Sequence, residues 1–336
     1  MKALVVGLGS IGRRHLRNLR KLVPEADITV WRQHTQVSGG QSHYPDANRI
    51  VYSFEDAIVN EPEIAIIANP AALHIETGLQ LAQEGISLLI EKPFSNRLDN
   101  IEKLIQLSAS QGLILMVGYN LRFHPSLLCL KKNLNDGKIG KVLSFIAEVG
   151  QYLPDWRPGT NYTENVSAQA CLGGGVVLEL SHELDYTRWL VGEVQTVSAQ
   201  TGKLSDLTID VEDSADILLR FTNGVKGNIH LDMLQRCLTR TCKIIGTDGT
   251  LIWDGISNCV RLYSAVDRTW HDIFPTQSLD RNEMYQLEIQ HFLECVKTGA
   301  RPLVTGEDGL QVLKIALAAK ESAISQRTFF IQEVTT

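Results

Sequence analysis

The pattern of apolar and polar positions changes near residue 122. In the first third of the chain, short continuous apolar runs are separated by stretches in which apolar residues recur every three or four positions. Such runs are typical of parallel strands that are buried on both faces, and the helical stretches between them supply the crossovers. The predicted strands are Ala3–Val6, Ile28–Trp31, Ile50–Tyr52, Ile64–Ala68, Leu88–Ile90 and Leu113–Val117, and the clearest helices are Leu73–Glu84 and Arg97–Ser110.

Beyond Arg122 the pattern predicts an antiparallel sheet. Residues 215–233 alternate around Asn223-Gly224, and residues 243–253 do so around Asp248-Gly249. Both dipeptides are strong signals for two-residue hairpin turns. The remaining predictions are a strand at Val142–Val149, helices at Phe123–Leu134, Asn282–Val296 and Asp308–Ser325, and a flexible loop at Ser198–Glu212. The helices can cover one face of the sheet, which leaves the other as a candidate interface.

Three glycines follow the first predicted strand. Gly7, Gly9 and Gly12 stand between that strand and the helical stretch from Arg13. In this context the first glycine permits a tight turn, the second lets backbone N–H groups approach a pyrophosphate, and the third lets the helix pack closely on the strand. The N-terminus of the helix then faces the anion. The sequence therefore predicts a dinucleotide site.

These patterns predict an α/β fold with two domains. Residues 1–121 are expected to form a Rossmann NAD(P)-binding domain. Residues 122–336 are expected to form an α+β domain with a large, mostly antiparallel open sheet, which would bind substrate and mediate oligomerisation. The open face predicts a homodimer or a homotetramer.

A lysine follows another buried strand. Lys92 stands in the run Glu91-Lys92-Pro93 directly after the strand at Leu88–Ile90. Open α/β sheets bind ligands at the carboxyl ends of their strands. A lysine there can donate to a substrate oxygen and favour the alkoxide-like transition state of hydride transfer. A surface lysine at a strand end is the alternative.

Charge and cysteine content argue against a nucleic-acid-binding protein, a disulfide-linked protein and a protein with a cysteine-ligated metal. The formal net charge of -6 argues against a nucleic-acid partner. The one basic cluster, Arg13 to Lys21, is expected to be a solvated helix face. The six cysteines show no metal-ligand or disulfide spacing. With no apparent leader and no apolar run long enough to span a bilayer, we expect a cytoplasmic protein with no membrane partner and no metal.

Several motifs together resemble the Gfo/Idh/MocA oxidoreductases, a family that includes glucose–fructose oxidoreductase and inositol dehydrogenase. The motifs are the glycine loop, Asn69-Pro70-x-x-x-His74, Glu91-Lys92-Pro93, Gly118-Tyr-Asn-x-Arg122-Phe, and Gly173-Gly-Gly followed by His182-x-x-Asp185. The resemblance covers nearly the whole chain. It implies a two-domain NAD(P)-dependent enzyme that acts on hydroxyls of sugars, cyclitols or their nucleotide-linked forms, with its active site between the domains.

The resemblance also implies roles for individual residues. Lys92 matches the catalytic lysine of the family and His182 its catalytic histidine. The matched cofactor-binding residues are Gly7, Gly9, Ser10, Ile11, Gly12, Asn69, Pro70, His74 and Glu91, with Lys92 beside them. The family commonly has an aspartate four positions before the histidine, whereas this chain has Leu178 there and Glu179 one position later. On a helix both spacings share a face, so Glu179 is a candidate replacement.

A histidine whose pKa lies near neutrality suits the removal of a hydroxyl proton as hydride leaves the same carbon. His182 stands beside a glycine-rich turn and acidic residues, and Asp185 could orient it or bind substrate. A purely structural histidine is the alternative. Asn120 and Arg122, from one of the motifs of the resemblance, are candidate substrate-binding residues. Trp156, Arg157 and Tyr162 are further candidates, because aromatic faces and an arginine suit a sugar that carries an anionic group. A surface loop pinned by a buried tryptophan is the alternative.

The residues after the second strand bear on the choice of cofactor. NAD enzymes place Asp or Glu there, but this chain has Val30-Trp31-Arg32-Gln33. Arg32 could clamp a 2′-phosphate, which favours NADP over NAD. The alternative is that Arg32 stacks on adenine while NAD binds.

The resemblance thus implies a dehydrogenase for a sugar or cyclitol. Within the family, the Ser-His-Glu-Leu-Asp-Tyr run from Ser181 is similar to that of members associated with surface-polysaccharide sugars, which implies a nucleotide-linked sugar of surface-polysaccharide biosynthesis as a candidate substrate. A non-catalytic dinucleotide sensor and an NAD-dependent glycosidase, both of which occur among such proteins, are the competing interpretations.

Overall fold

The computed structural model describes residues 1–32, 44–276 and 278–334. The chain divides into two compact units. The first contains Met1–Asn120 and Arg281–Leu310, and the second contains Leu121–Asp280 and Gln311–Thr336. Residues 281–310 therefore group with the first unit rather than with the chain that precedes them, because the helix they contain packs against the first helix of the chain. The functional division into a cofactor domain at 1–121 and a substrate domain at 122–336 stays a prediction.

Most of the predicted elements are present in the described residues. The helices are α1 (Ser10–Leu22), α2 (Phe54–Ile58), α3 (His74–Gln83), α4 (Ile101–Ser110), α5 (Pro125–Asn135), α6 (Val176–Glu179), α7 (His182–Val191), α8 (Glu283–Thr298) and α9 (Gly306–Ser325). The strands are β1 (Lys2–Val6), β2 (Asp27–Trp31), β3 (Arg49–Val51), β4 (Ile64–Ile67), β5 (Ser87–Glu91), β6 (Leu115–Gly118), β7 (Val142–Gly150), β8 (Val194–Gly202), β9 (Ser214–Phe221), β10 (Lys226–Asp232), β11 (Thr239–Gly246), β12 (Gly249–Asp254), β13 (Cys259–Ser264), β14 (Thr269–Phe274) and β15 (Phe329–Phe330).

The first unit contains a parallel sheet of six strands in the order β3-β2-β1-β4-β5-β6. Every pairing in it is parallel. All residues of β4 and β5 are buried, as expected for central strands covered on both faces. This strand order is that of a dinucleotide-binding sheet, in which ligands bind at the carboxyl edge. The predicted Rossmann fold is confirmed.

The apolar residues of α1 fix the position of the glycine loop that precedes this helix. Its buried residues include Gly12, Leu16 and Leu19, which recur at helical spacing and face the sheet. Arg13 and Arg17 are exposed, as the sequence predicts for a solvated helix face, but Arg14 and Arg20 are half-buried. Arg20 donates to the carbonyl oxygens of Pro24, Ala26 and Asp46, and the Arg14 guanidinium lies over a tyrosine ring.

The second unit contains a mostly antiparallel sheet of nine strands in the order β14-β13-β12-β11-β7-β10-β9-β8-β15. Both predicted hairpins are present, since β9 pairs with β10 and β11 with β12. The pair β7 and β10 is parallel. The flexible loop predicted at Ser198–Glu212 is partly wrong, because Ser198–Gly202 pair with β9 as part of β8. Pairing with a neighbouring strand satisfies the backbone of that polar stretch in a way that its composition does not reveal.

One face of this sheet carries the apolar core and the other is open. Along β9 the buried residues alternate with exposed ones, among them Leu218, whose exposed fraction is 62%. Ile146 on β7 is also exposed, and Asn228 on β10 lies between the two in register. Among the described residues, no helix combines the length and the apolar character that crossing a bilayer requires.

Candidate functional site

The glycine loop lies where β1 ends and α1 begins. Gly7 has a φ of +89°, and a Cβ there would lie 2.8 Å from the carbonyl oxygen of Ala68. A Cβ on Gly12 would collide with the carbonyl oxygen of Gly7. Gly9 precedes α1, and a Cβ on it would meet no atom within 4 Å. The first and third glycines are thus required by close backbone approaches, whereas the second borders open space.

Lys92 lies at the same edge of the sheet, directly after β5. Its backbone N–H donates to Glu91 Oε2 at 3.0 Å, so the carboxyl of Glu91 folds back over the turn that Lys92 begins. The next strand along the sheet, β4, is followed by Asn69 and Pro70. The structure therefore brings the glycine loop, the Asn69-Pro70 segment and Lys92 to one edge, as their positions after consecutive parallel strands predict.

His74 ties two of these segments together. Its Nε2 lies 2.8 Å from the carbonyl oxygen of Asn69, and its Nδ1 lies 3.0 Å from that of Pro93. Burial lowers the pKa of His74, although the two carbonyl oxygens and the Glu91 charge oppose that shift. Asn69 Nδ2 also donates to Thr77 Oγ1 at 3.0 Å. His74 therefore fixes both loops through their backbones.

Arg32 ends the second strand of the sheet. Its backbone N–H donates to the carbonyl oxygen of Val51 at 3.0 Å, which places the residue at the carboxyl end of β2. The side chain is half-buried. The neighbouring Gln33, part of the run that bears on cofactor choice, lies outside the described residues.

In the second unit, His182 is the first residue of α7 and is half-buried. Glu179 is the last residue of the short helix α6, and Leu180 and Ser181 separate the two helices. The shared helix face assumed for Glu179 and His182 is therefore wrong, because the helix is interrupted between them. Each glycine of the triple run has its own backbone reason. Gly173 and Gly175 have φ values of +87° and +106°, and a Cβ on Gly174 would collide with the carbonyl oxygen of Val166.

Glu179 is linked instead to the loop that precedes it. Ser167 Oγ donates to Glu179 Oε2 at 2.7 Å, and Arg157 Nη1 lies 3.4 Å from the same Ser167 Oγ. Trp156 Nε1 donates to the carbonyl oxygen of Gln151 at 2.9 Å. The hydroxyl of Tyr162 accepts from the backbone N–H of Thr208 at 3.2 Å. Two predicted site residues, Arg157 and Glu179, are thus brought together through Ser167.

Arg122 and Asp185 are paired with each other. Arg122 Nη2 lies 2.6 Å from Asp185 Oδ1, and Arg122 Nε donates to both carboxylate oxygens. Both side chains are buried. Removing either partner would leave the other buried charge without this ion pair, which is strongly destabilising. This pair therefore holds α7 to the segment around Arg122, and the substrate-binding role expected of each residue stays a prediction.

Three residues that surround Glu91 were not predicted from the sequence. His15 on α1 and Glu288 on α8 are buried, and Tyr285 lies one turn before Glu288. Tyr285 hydrogen-bonds to the side chain of Asn120, a predicted substrate-binding residue that is itself buried. One sequence signal could have identified Glu288. It is a glutamate on the apolar stripe of a helix, where Met284, Ile289 and Phe292 flank it.

The residues of the first unit fit a dinucleotide. Among the described residues, none lies within 4 Å of a Cβ on Gly9 and no side chain caps the N-terminus of α1, whose first turn contains no acidic residue. The N–H groups of a first helical turn have no partner within the helix, so they are available to an anion there. Gly9, Ser10, Ile11 and Gly12 are the residues that would hold the pyrophosphate.

Comparison with known proteins agrees with this geometry. Residues 1–119 match the GFO_IDH_MocA family described as "Oxidoreductase family, NAD-binding Rossmann fold", and residues 131–329 match its C-terminal alpha/beta domain. The chain is 27% identical to myo-inositol 2-dehydrogenase of Thermotoga maritima, over 99% of each chain.

Two solved structures share the fold. The structure of levoglucosan dehydrogenase in complex with NADH has a TM-score of 0.88 at 21% identity and covers 98% of this chain and 99% of its own. The structure of the WlbA dehydrogenase from Bordetella pertussis, in complex with NADH and UDP-GlcNAcA, has a TM-score of 0.81 at 23% identity and covers 98% of each chain. Since the two family matches span nearly the whole sequence, the chain belongs to the Gfo/Idh/MocA family of oxidoreductases, with an NAD-binding Rossmann fold.

Proposed function

We propose that the protein is an NAD(P)-dependent dehydrogenase that moves hydride between the nicotinamide and a secondary hydroxyl or keto carbon of a sugar or cyclitol. The observation that carries this proposal is the meeting of the glycine loop and Lys92 at one carboxyl edge of the parallel sheet. The names of two relatives, an inositol dehydrogenase and a levoglucosan dehydrogenase, support the substrate class.

Each proposed catalytic residue has a distinct task. A bound nicotinamide supplies the acceptor or donor of hydride. The Lys92 ammonium donates to the reacting oxygen and stabilises the negative charge that develops on it. His182 takes the hydroxyl proton as general base, or returns it in the reverse direction.

The retention of both Lys92 and His182 argues against a sensor without catalysis. The NAD-dependent glycosidase stays the second enzymatic alternative, and a cofactor that is unchanged after turnover would identify it. A nucleotide-linked sugar is the narrower substrate proposal. It is supported by Arg157, Trp156 and Tyr162 on one loop and by the similarity of the fold to WlbA.

A ligand screen followed by absorbance tests the function. Thermal shifts with NAD and NADP, each against free, phosphorylated and nucleotide-linked sugars and cyclitols, identify ligands because binding to the native state raises the unfolding midpoint. Absorbance of the reduced nicotinamide then reports hydride transfer with each hit. A protein that binds cofactor and sugar but transfers no hydride to or from any of them would contradict the proposal and favour a sensor.

Cofactor choice is predicted to depend on Arg32. If its guanidinium clamps the 2′-phosphate, Arg32→Ala should weaken NADP binding by about 1.5–3 kcal/mol, the cost of a lost charge-assisted hydrogen bond, and NAD binding far less. Calorimetric titration of both cofactors measures the difference. The matched control is Arg17→Ala, which removes an exposed arginine of α1. Equal losses for NAD and NADP would indicate stacking on adenine instead.

The open face of the second sheet is predicted to bury itself in a homodimer or homotetramer. Leu218 and Ile146 place exposed apolar side chains on it, and exposed apolar surface of this kind is typical of an interface. Light scattering should report an oligomer at micromolar concentration, and Leu218→Asp should shift it towards smaller species. Val266→Asp is the control, because Val266 is 92% exposed and lies outside this face. A monomeric parent would contradict the prediction.

A further inference from the structure

Three titratable side chains meet beside Lys92 in the interior of the first unit. They are His15 from α1, Glu91 from the end of β5 and Glu288 from α8, and all three are buried. One nitrogen or oxygen of each lies within 4.8 Å of the others. His15 Nε2 is 2.6 Å from Glu91 Oε1, while Glu91 Oε2 accepts from the Lys92 backbone N–H. Both oxygens of the Glu91 carboxyl are therefore engaged.

Glu288 is the unexplained member of the group. Its side chain is 0% exposed, and neither of its carboxyl oxygens has a hydrogen-bond partner among the described residues. An ionised carboxylate in such a place would be very costly, whereas a neutral carboxyl costs far less. Burial, and then the nearby Glu91 charge, raise the pKa of Glu288 well above its usual range.

Glu91 behaves in the opposite way. Burial alone would raise its pKa, but the hydrogen bond and charge of His15, together with the Lys92 charge, bring that pKa below its ordinary value. Two buried carboxyls that lie close together cannot both ionise readily, so one of them keeps a proton. The environment assigns that proton to Glu288 and the negative charge to Glu91.

The surroundings leave this arrangement intact. From α8, Tyr285 faces the group, and burial, followed by the Glu91 charge, raises the pKa of its hydroxyl. The Arg14 guanidinium lies over the Tyr285 ring at 4.5 Å rather than on a carboxyl of the group. At the start of α3, the Glu91 charge opposes the lowering of the His74 pKa by burial. Gly118 leaves room for Glu91, since a Cβ there would lie 3.3 Å from Glu91 Oε2.

We propose that His15, Glu91 and Glu288 form a proton-sharing cluster that positions Lys92, with a neutral Glu288 beside a Glu91 carboxylate held between His15 and the Lys92 backbone amide. His15 and Glu288 are thus positioning residues that act through Glu91. The effect on turnover rests on the proposed function, because it requires Lys92 to act on substrate. The protonation of Glu288 does not.

Infrared spectroscopy of the full-length protein tests the protonation directly. At neutral pH the parent should show the carbonyl band of a protonated carboxylic acid, and Glu288→Gln should remove it. The control is Glu294→Gln on the same helix, which alters an exposed glutamate and should leave the band in place. A parent without the band, or a Glu288→Gln variant that retains it, would overturn the proposal.

Kinetics of His15 variants test the positioning. His15→Leu removes the bond to Glu91 and should lower kcat about tenfold or more, with the KM for cofactor nearly unchanged. His15→Gln places an N–H donor near the former Nε2 and should recover most of the loss. A defect of folding alone would not be rescued in this way. Unchanged kcat in His15→Leu, or no recovery in His15→Gln, would overturn the positioning role.

The same residues could instead bind a cation, since one imidazole and two carboxylates are suitable ligands. Elemental analysis of the purified parent distinguishes the two cases. The proposal expects no stoichiometric divalent metal, whereas one metal per chain that is lost in His15→Leu would overturn it. A parent that transfers no hydride would defeat the proposed function, while the infrared result would still decide the protonation of Glu288.

Discussion

Replacing either Lys92 or His182 by alanine is expected to lower the rate of hydride transfer by about 10²-fold or more, the usual contribution of a positioned acid–base group. Without the Lys92 ammonium, the charge that develops on the reacting oxygen loses its donor. Without the His182 imidazole, the hydroxyl proton has no base. Neither residue belongs to the glycine loop, so cofactor binding should largely remain.

Single-turnover absorbance of the reduced nicotinamide measures this loss, with the sugar that the thermal screen selects. The double variant should lose less than the product of the two single losses, because groups that act on one oxygen operate as a unit. Lys103→Ala and His271→Ala, which remove an exposed lysine and an exposed histidine, are the controls. Parent-like rates in both single variants would contradict the catalytic assignment.

Replacing Gly9 by valine is expected to abolish most dinucleotide binding while the fold survives. The new side chain would enter the open space beside the N-terminus of α1, where the pyrophosphate is proposed to lie. Each charge-assisted hydrogen bond lost there weakens binding by about 1.5–3 kcal/mol, or roughly ten- to more than a hundredfold in affinity. Gly9 has a φ of -62°, which a valine can adopt, so the unfolding temperature without ligand should change little.

Titration of NAD(H) against the variant, with its unfolding temperature, separates the two effects. Gly202→Val is a suitable control, because a Cβ there meets only Leu204 Cδ2 at 3.7 Å. Gly12→Val should behave differently and destabilise the first unit, since its Cβ would collide with the Gly7 carbonyl. Cofactor affinity that is unchanged in Gly9→Val would remove the basis for placing the pyrophosphate at this loop.

Local sequence signals predicted much of the fold. The apolar run before Gly7 and the Asn223-Gly224 turn are local signals. The strand and the hairpin that they predict depend only on a few consecutive residues. Lys92 could be placed at the carboxyl edge for the same reason, since a residue that follows a parallel strand lies at that edge. The parallel pairing of β7 with β10 could not be predicted, because these two strands are far apart in the sequence and no local signal links them.

Side-chain partners were predicted less well than positions. The role predicted for Asp185, to orient His182 or bind substrate, stays a prediction, but its ion pair with Arg122, sixty-three positions away, was not predicted. Glu179 was placed on one helix with His182, and the break at Leu180 and Ser181 separates them. Hydropathy gives the face on which a residue lies but not which buried charge it meets. Glu288 shows the same limit, since only the fold brings it to Glu91.

Because residues 281–310 belong to the first unit, this unit cannot be completed until late in the synthesis of the protein. The chain passes from one unit to the other after Asn120, after Asp280 and after Leu310, so the first unit is not a continuous stretch of sequence. During synthesis on the ribosome, α8 can cover the surface of α1 only after nearly the whole chain has emerged. A nascent chain halted before residue 281 would expose that surface to chaperones, and a fragment ending there would lack the helix that completes the cofactor-binding fold.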